Sequence, residues 1–90
     1  MSKSWFELID SKSGIKPSDV LECVASYAND GASPPTYSAM RGVVDTCSFS
    51  QKDLIKLLAS IDLWLKKLVK KNHRDRGDVA SLLYYIKQKI

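Results

Sequence analysis

The chain is poor in the side chains on which most catalytic and metal chemistry rests. It holds one histidine, His73, in a basic turn where Asp75 is the nearest acid. A catalytic base needs a nucleophile or a substrate proton within reach. The sequence names neither, so the expectation is a solvated loop histidine in a non-enzymatic protein. There are two cysteines, Cys23 and Cys47, and no Cys-x-x-Cys pair. With a single histidine this is no zinc pattern, and no metal or other cofactor is expected. Both cysteines fall on apolar helix faces, where a free thiol packs as a small hydrophobe. A disulfide between them would need the two helices face to face and an oxidising compartment. No apolar run approaches the roughly 18 residues that can span a bilayer. The start, Met1-Ser2-Lys3-Ser4-Trp5-Phe6-Glu7, has an early acid and no extended apolar stretch. It does not read as a signal peptide, and the expected compartment is the cytoplasm, or the cytoplasm or nucleus of a host. Strand patterns and internal repeats are also lacking.

What the chain does have is helical periodicity, concentrated in Phe49–Lys71. Ser50 can cap the first turn, Asp53 can reach back to the Ser50 amide, and Phe49 can staple onto Leu54. Leu54, Leu58, Ile61, Leu65 and Leu68 then recur at spacings of four and three, which puts them on one stripe. Leu57 and Trp64 widen the stripe on one side and Val69 on the other. Lys52, Lys56, Lys67 and Lys70 take the opposite face, and Leu63 breaks the pattern by projecting among them. Such a helix is about 30 Å long, the width of a small domain.

Four shorter helices are expected around it. Ser4, with Glu7 three residues on, opens one that carries Trp5, Leu8 and Ile9 and stops at Ser11-Lys12-Ser13-Gly14. Lys16-Pro17-Ser18-Asp19 opens the next, with Val20, Cys23, Val24, Tyr27 and Ala28 on one face, and Asn29-Asp30-Gly31 closes it. After Pro34-Pro35-Thr36 comes a third, with Tyr37, Met40, Val44 and Cys47 in register. Asp78 is read as the cap of the last, whose stripe is Val79, Leu82, Leu83, Ile86 and Ile90, with Tyr84 outward. The same assignment turns Arg76-Gly77-Asp78 from an integrin-binding tripeptide into a glycine turn and a cap. With 90 residues, 44% of them apolar and 27% charged, the whole reads as one domain, residues 1–90. The class is all-α: a compact bundle of about five helices organised around the long one at about residues 50–71. Short connections favour antiparallel neighbours, so the last helix should fold back beside the long one.

The turn Asp30-Gly31-Ala32-Ser33-Pro34-Pro35-Thr36 is similar to the first turn of winged-helix repressors of the LexA type. There a Gly and a Pro-Pro-Thr also precede the helix-turn-helix. The likeness covers roughly residues 20–58 on few positions. It fails where the recognition helix would fall, because Ser50 to Ile61 carries Leu54, Ile55, Leu57, Leu58 and Ile61. A helix that reads base edges needs polar side chains there, and no β-wing follows. The family is not assigned.

Charge is placed unevenly. Residues 1–50 hold four basic and six acidic side chains, and residues 51–90 hold ten and four. Lys66, Lys67, Lys70, Lys71, Arg74 and Arg76 share eleven positions with one acid, Asp75. Lysines at a helix C-terminus suit its dipole, but six cations can also neutralise phosphates and release counterions. The sequence therefore leans toward a small regulatory protein that contacts nucleic-acid backbone through this cluster. The alternative is a protein-interaction module, from a cell, a virus or a mobile element, that docks an acidic or apolar partner surface through Leu63, Tyr84 and the same cations. A third reading lays the basic end on anionic membrane. It ranks last, because each helix has one apolar face and the faces can satisfy one another.

Overall fold

A computed structural model describes residues 3–11 and 13–90. It contains five α-helices: α1 (Trp5–Asp10), α2 (Pro17–Asp30), α3 (Tyr37–Asp45), α4 (Gln51–Lys70) and α5 (Arg76–Lys89). No strand occurs among the described residues, and the all-α bundle is the one the periodicity implies. Met1, Ser2 and Lys12 lie outside the described residues, so the readings of the amino-terminal stretch and of the Ser11–Gly14 turn are covered only in part.

Most helix ends follow from local chemistry. Ser4 Oγ accepts the Glu7 N–H while the Glu7 carboxylate accepts the Ser4 N–H, a complete capping box. Asp19 accepts the Lys16 N–H at the start of α2, where Pro17 has no N–H to satisfy. Thr36 and Ser50 cap α3 and α4 through their hydroxyls. Gly31 ends α2 at φ +61 and gives its N–H to Tyr27 O. Asn72 does the same office for α4 at φ +53. Its N–H goes to Val69 O and that of His73 to Leu68 O, a Schellman pair that tucks the last turn in.

Two ends differ from expectation. Gly14 is left-handed at φ +77, but α1 has already stopped at Ser11, so Gly14 steers the loop and does not end the helix. Asp78 does not cap α5. That helix starts at Arg76, so Arg76-Gly77-Asp78 is its first turn. The Asp78 carboxylate instead accepts the N–H of Tyr37, the first residue of α3, at 2.9 Å. A free donor at one helix start is thus satisfied by an acid 41 residues later.

α4 is unbroken over 20 residues, about 30 Å. It packs chiefly on α2 and α5. Ser18 and Leu21 of α2 lie beside Lys56 and Ala59, and Asn29 beside Lys67, so α2 and α4 run parallel. Leu83 and Lys87, late in α5, lie beside Ile55 and Leu58, early in α4, so α5 runs antiparallel, as the short turn requires. The buried line on α4 is Leu54, Leu57, Ile61, Trp64 and Leu68. Leu58 and Leu65 are only half-buried, and Val69 is 55% exposed and does not widen the core. The cause is the roof over Trp64. Tyr27 meets its ring edge-on at 5.3 Å, and Ala32 O accepts its Nε1–H at 2.8 Å. On the other flank Leu58 borders a hollow beside Leu83 and Lys87 of α5. One continuous core results, with Trp5, Leu8, Met40, Leu82 and Ile86 fully buried in it.

Candidate functional site

Five of the six cations after Leu65 are drawn to partners within the fold. Lys66 Nζ pairs with Asp62 at 3.0 Å, one turn back on α4. Lys67 and Lys71 reach across to the C-terminus of α2. Lys67 Nζ donates to Asn29 O at 2.5 Å, and Lys71 Nζ donates to Gly31 O at 3.0 Å and Asp30 O at 3.4 Å. They satisfy carbonyls that a helix end leaves without partners and place positive charge at the negative end of its dipole. Arg74, almost wholly exposed, lies 3.8 Å from Asp75. Arg76 Nη1 donates to His73 O at 2.8 Å. Among the described residues Lys70 has no such partner. The cluster is therefore one cation with free reach and five whose side chains are engaged, two of them with carboxylates.

His73 is a half-buried junction and not the solvated residue expected. Its Nδ1 accepts the Asp75 N–H at 3.0 Å, and its Nε2 lies 2.8 Å from Ser33 Oγ in the α2–α3 loop. A serine this close to an imidazole invites comparison with a nucleophile and its base. The hydrogen-bond directions run the other way. Since Nδ1 is an acceptor, the proton of the neutral ring sits on Nε2 and is donated to Ser33. The ring cannot take a proton from that hydroxyl while it holds Asp75. The pair pins the α2–α3 loop to the α4–α5 turn.

The solvent face of α4 carries a different kind of feature. Leu63 and Ile55 are both more than half exposed, at 58% and 54%, with Ala59 between them one turn from each. Ile55 borders a shallow hollow against Leu83 and Lys87 of α5. On the α2 side a trough of about 530 Å³ is lined by Leu21, Glu22, Ala25, Lys56, Ala59 and Ser60. A further hollow of about 230 Å³ follows, which shares Ala25 and Ser60 and adds Leu63 and Lys67. Leu63 stands at its edge, one turn before Lys66 and Lys67. Tyr84 is 65% exposed but stands on α5, which does not border this trough.

Several contacts have no local sequence signal. At the α3–α5 seam, Tyr85 donates a hydrogen bond to Asp45 and stacks edge-on with Tyr37. Arg41 and Lys89 lie over its ring at 4.6 and 4.8 Å. Hydrogen bonding to Tyr85, with the Tyr37 and Tyr85 charges behind it, holds the Arg41 guanidinium even more firmly protonated than usual. Both thiols are free. Burial, with the Glu7 charge second, pushes Cys23 up to about 12, and burial raises Cys47 as well. Neither is activated as a nucleophile. Among the described residues no group of three or more metal-ligating side chains gathers, and no helix is long and apolar enough to cross a membrane.

No protein-family model, curated protein or solved structure matches this chain.

Proposed function

We propose that this is a non-enzymatic binding protein whose working surface is the solvent face of α4, and that its partner is another protein. The observation behind the reading is Leu63, held in water at 58% exposure on the longest helix. Lys56 lies two turns before it and Lys66 and Lys67 one turn after. An exposed leucine on a rigid element, ringed by charge, has the form of an interface anchor inside a polar rim. A solvated helix end would need only the lysines.

The cluster at 66–76 offers less to a polyanion than its sequence promised. Asp62 and Asp75 offset two of its charges, and Lys71 is tied to α2 through two carbonyls. Among the described residues no exposed aromatic ring lies within the cluster, because Trp64 is buried and Tyr84 comes two turns after Arg76 on α5.

The test is affinity capture with wild type and Leu63→Asp, each with and without nuclease, beside mobility-shift titrations against DNA and RNA at two salt concentrations. The reading predicts a protein partner that survives nuclease and is lost with Leu63→Asp, whose thermal unfolding stays that of the wild type. Salt-sensitive nucleic-acid binding that Leu63→Asp spares and Lys70→Glu with Lys71→Glu abolishes would overturn it.

A further inference from the structure

The trough between α2 and α4 has a length, a floor and a charge that select among occupants. It runs from Ser18 to Asn29 on one wall and from Lys56 to Lys67 on the other. Each is eleven residue steps, or about 16 Å of helix, roughly three turns. Small residues, Ala25, Ala59 and Ser60, form the floor, so a backbone can approach closely. Leu21 and Leu63 offer apolar walls. The α4 rim is basic at both ends, with Lys56 at one and Lys67 at the other, and Lys52 and Lys70 extend it. Among the described residues Glu22 is the one acid that lines the trough.

We infer that the occupant is an acidic amphipathic helix of about three turns, contributed by a partner protein. The inference rests on the reading of α4 as a docking face. On such a helix, residues i and i+11 return to the same edge, as Lys56 and Lys67 do on α4. Carboxylates at those two positions meet both lysines at once. Lys67 keeps two N–H donors beyond the one it gives to Asn29 O, so capping α2 does not exclude it. The apolar face between those carboxylates covers Leu63 and Leu21, and a single basic residue on its far edge answers Glu22.

The other occupants fit worse. A second copy of this chain, placed about a two-fold axis on the same trough, sets its own Lys56 and Lys67 against these, with Glu22 alone to answer them. A phosphate backbone would meet the lysines but would cover Leu21, Leu63 and the alanine floor with charge.

The test is selection of displayed helix-forming peptides of about 15 residues on the intact protein, from a library unbiased in charge. Expected winners carry apolar residues at i, i+4 and i+7 with Asp or Glu along one flank. They bind one to one and weaken about tenfold on Lys56→Glu and again on Leu63→Asp. Changing the matching peptide acid to lysine restores binding to Lys56→Glu. Both variants sit at exposed positions, and their unfolding midpoints are checked against the wild type.

Winners that are neutral, basic or extended, or that ignore Lys56→Glu, overturn the inference. So does a dimer of the free protein, seen by sedimentation, that Leu63→Asp dissociates, and so does an oligonucleotide that displaces the peptides from Leu63. If no acidic helix is selected while a nuclease-resistant protein partner is still lost with Leu63→Asp, the inference fails and the docking face stands. If that partner is retained as well, the face itself fails.

Discussion

Lys71 lies in the middle of the basic run, and its replacement separates two uses of a cation. Lys71→Met keeps the long stem that packs over Gly31, where an added Cβ would meet Nζ at 2.8 Å. It removes only the ammonium. What is lost is the donor to Gly31 O at 3.0 Å and Asp30 O at 3.4 Å, and one positive charge at the negative end of α2. A charge-assisted hydrogen bond contributes about 1.5–3 kcal/mol when shielded. This one is at the surface and is worth less, and the dipole adds about 0.3–1 kcal/mol. The expected cost is about 1 kcal/mol, which for a chain of this size lowers Tm by about 4–8 °C. Lys70→Met removes the same charge from the same turn but breaks no contact. It should stay within about 0.5 kcal/mol of wild type. Urea and thermal unfolding of the two variants side by side give the answer. Equal effects of Lys70→Met and Lys71→Met, or no effect of either, would refute the capping role and return the run to the solvent as a free cationic patch.

Trp64 and Trp5 are both fully buried, but only Trp64 finds an acceptor. Its Nε1–H goes to Ala32 O at 2.8 Å, while Trp5 Nε1 has no partner among the described residues. Each mutation to Phe deletes the same volume, so Trp64→Phe should destabilise by about 1–2 kcal/mol more than Trp5→Phe in chemical denaturation; equal costs would contradict the assignment. The Cys23 thiol is raised from 9.0 to about 12, so the folded state holds its proton more tightly than the unfolded state does. The associated stability is whole below pH 9 and drains as pH climbs from about 9 toward 12. Tm should therefore fall less steeply over that window in Cys23→Ala than in wild type, and parallel slopes would count against it.

Four of the five helix starts were readable because each is written locally: Ser4 with Glu7, Pro17 with Asp19, Thr36, and Ser50. The Ser50 hydroxyl takes the Asp53 N–H, although the expected return bond from the Asp53 carboxylate is not made. The sequence could not say which flank of the α4 stripe turns inward. On a helical wheel Leu57 and Trp64 lie on one side of Leu54, Ile61 and Leu68, and Leu58 and Leu65 lie on the other. The choice belongs to Tyr27 and Ala32, which roof Trp64 from 37 and 32 positions away. Asp78 misled for the same reason. Its position before an apolar run suits a cap, but the donor it serves is Tyr37. At the candidate site, Leu63 was visible as a leucine out of phase, and the lysines as a run. That Lys67 and Lys71 serve α2 depends on contacts 38 to 41 residues apart, which no local pattern carries. The trough beside Leu63 exists only because α2 lies parallel to α4, and loop length alone does not set that.

Methyl-labelled NMR of the protein with its captured partner, or with a selected acidic helix, tests the docking face most directly. The methyl signals of Leu21 and Leu63 should move most and those of buried Leu57 and Ile61 least, with Leu63→Asp erasing the response. Shifts gathered instead at Val69 and Val79, the methyl-bearing residues that flank the cations at 70–76, with Leu63 unmoved, would contradict the account.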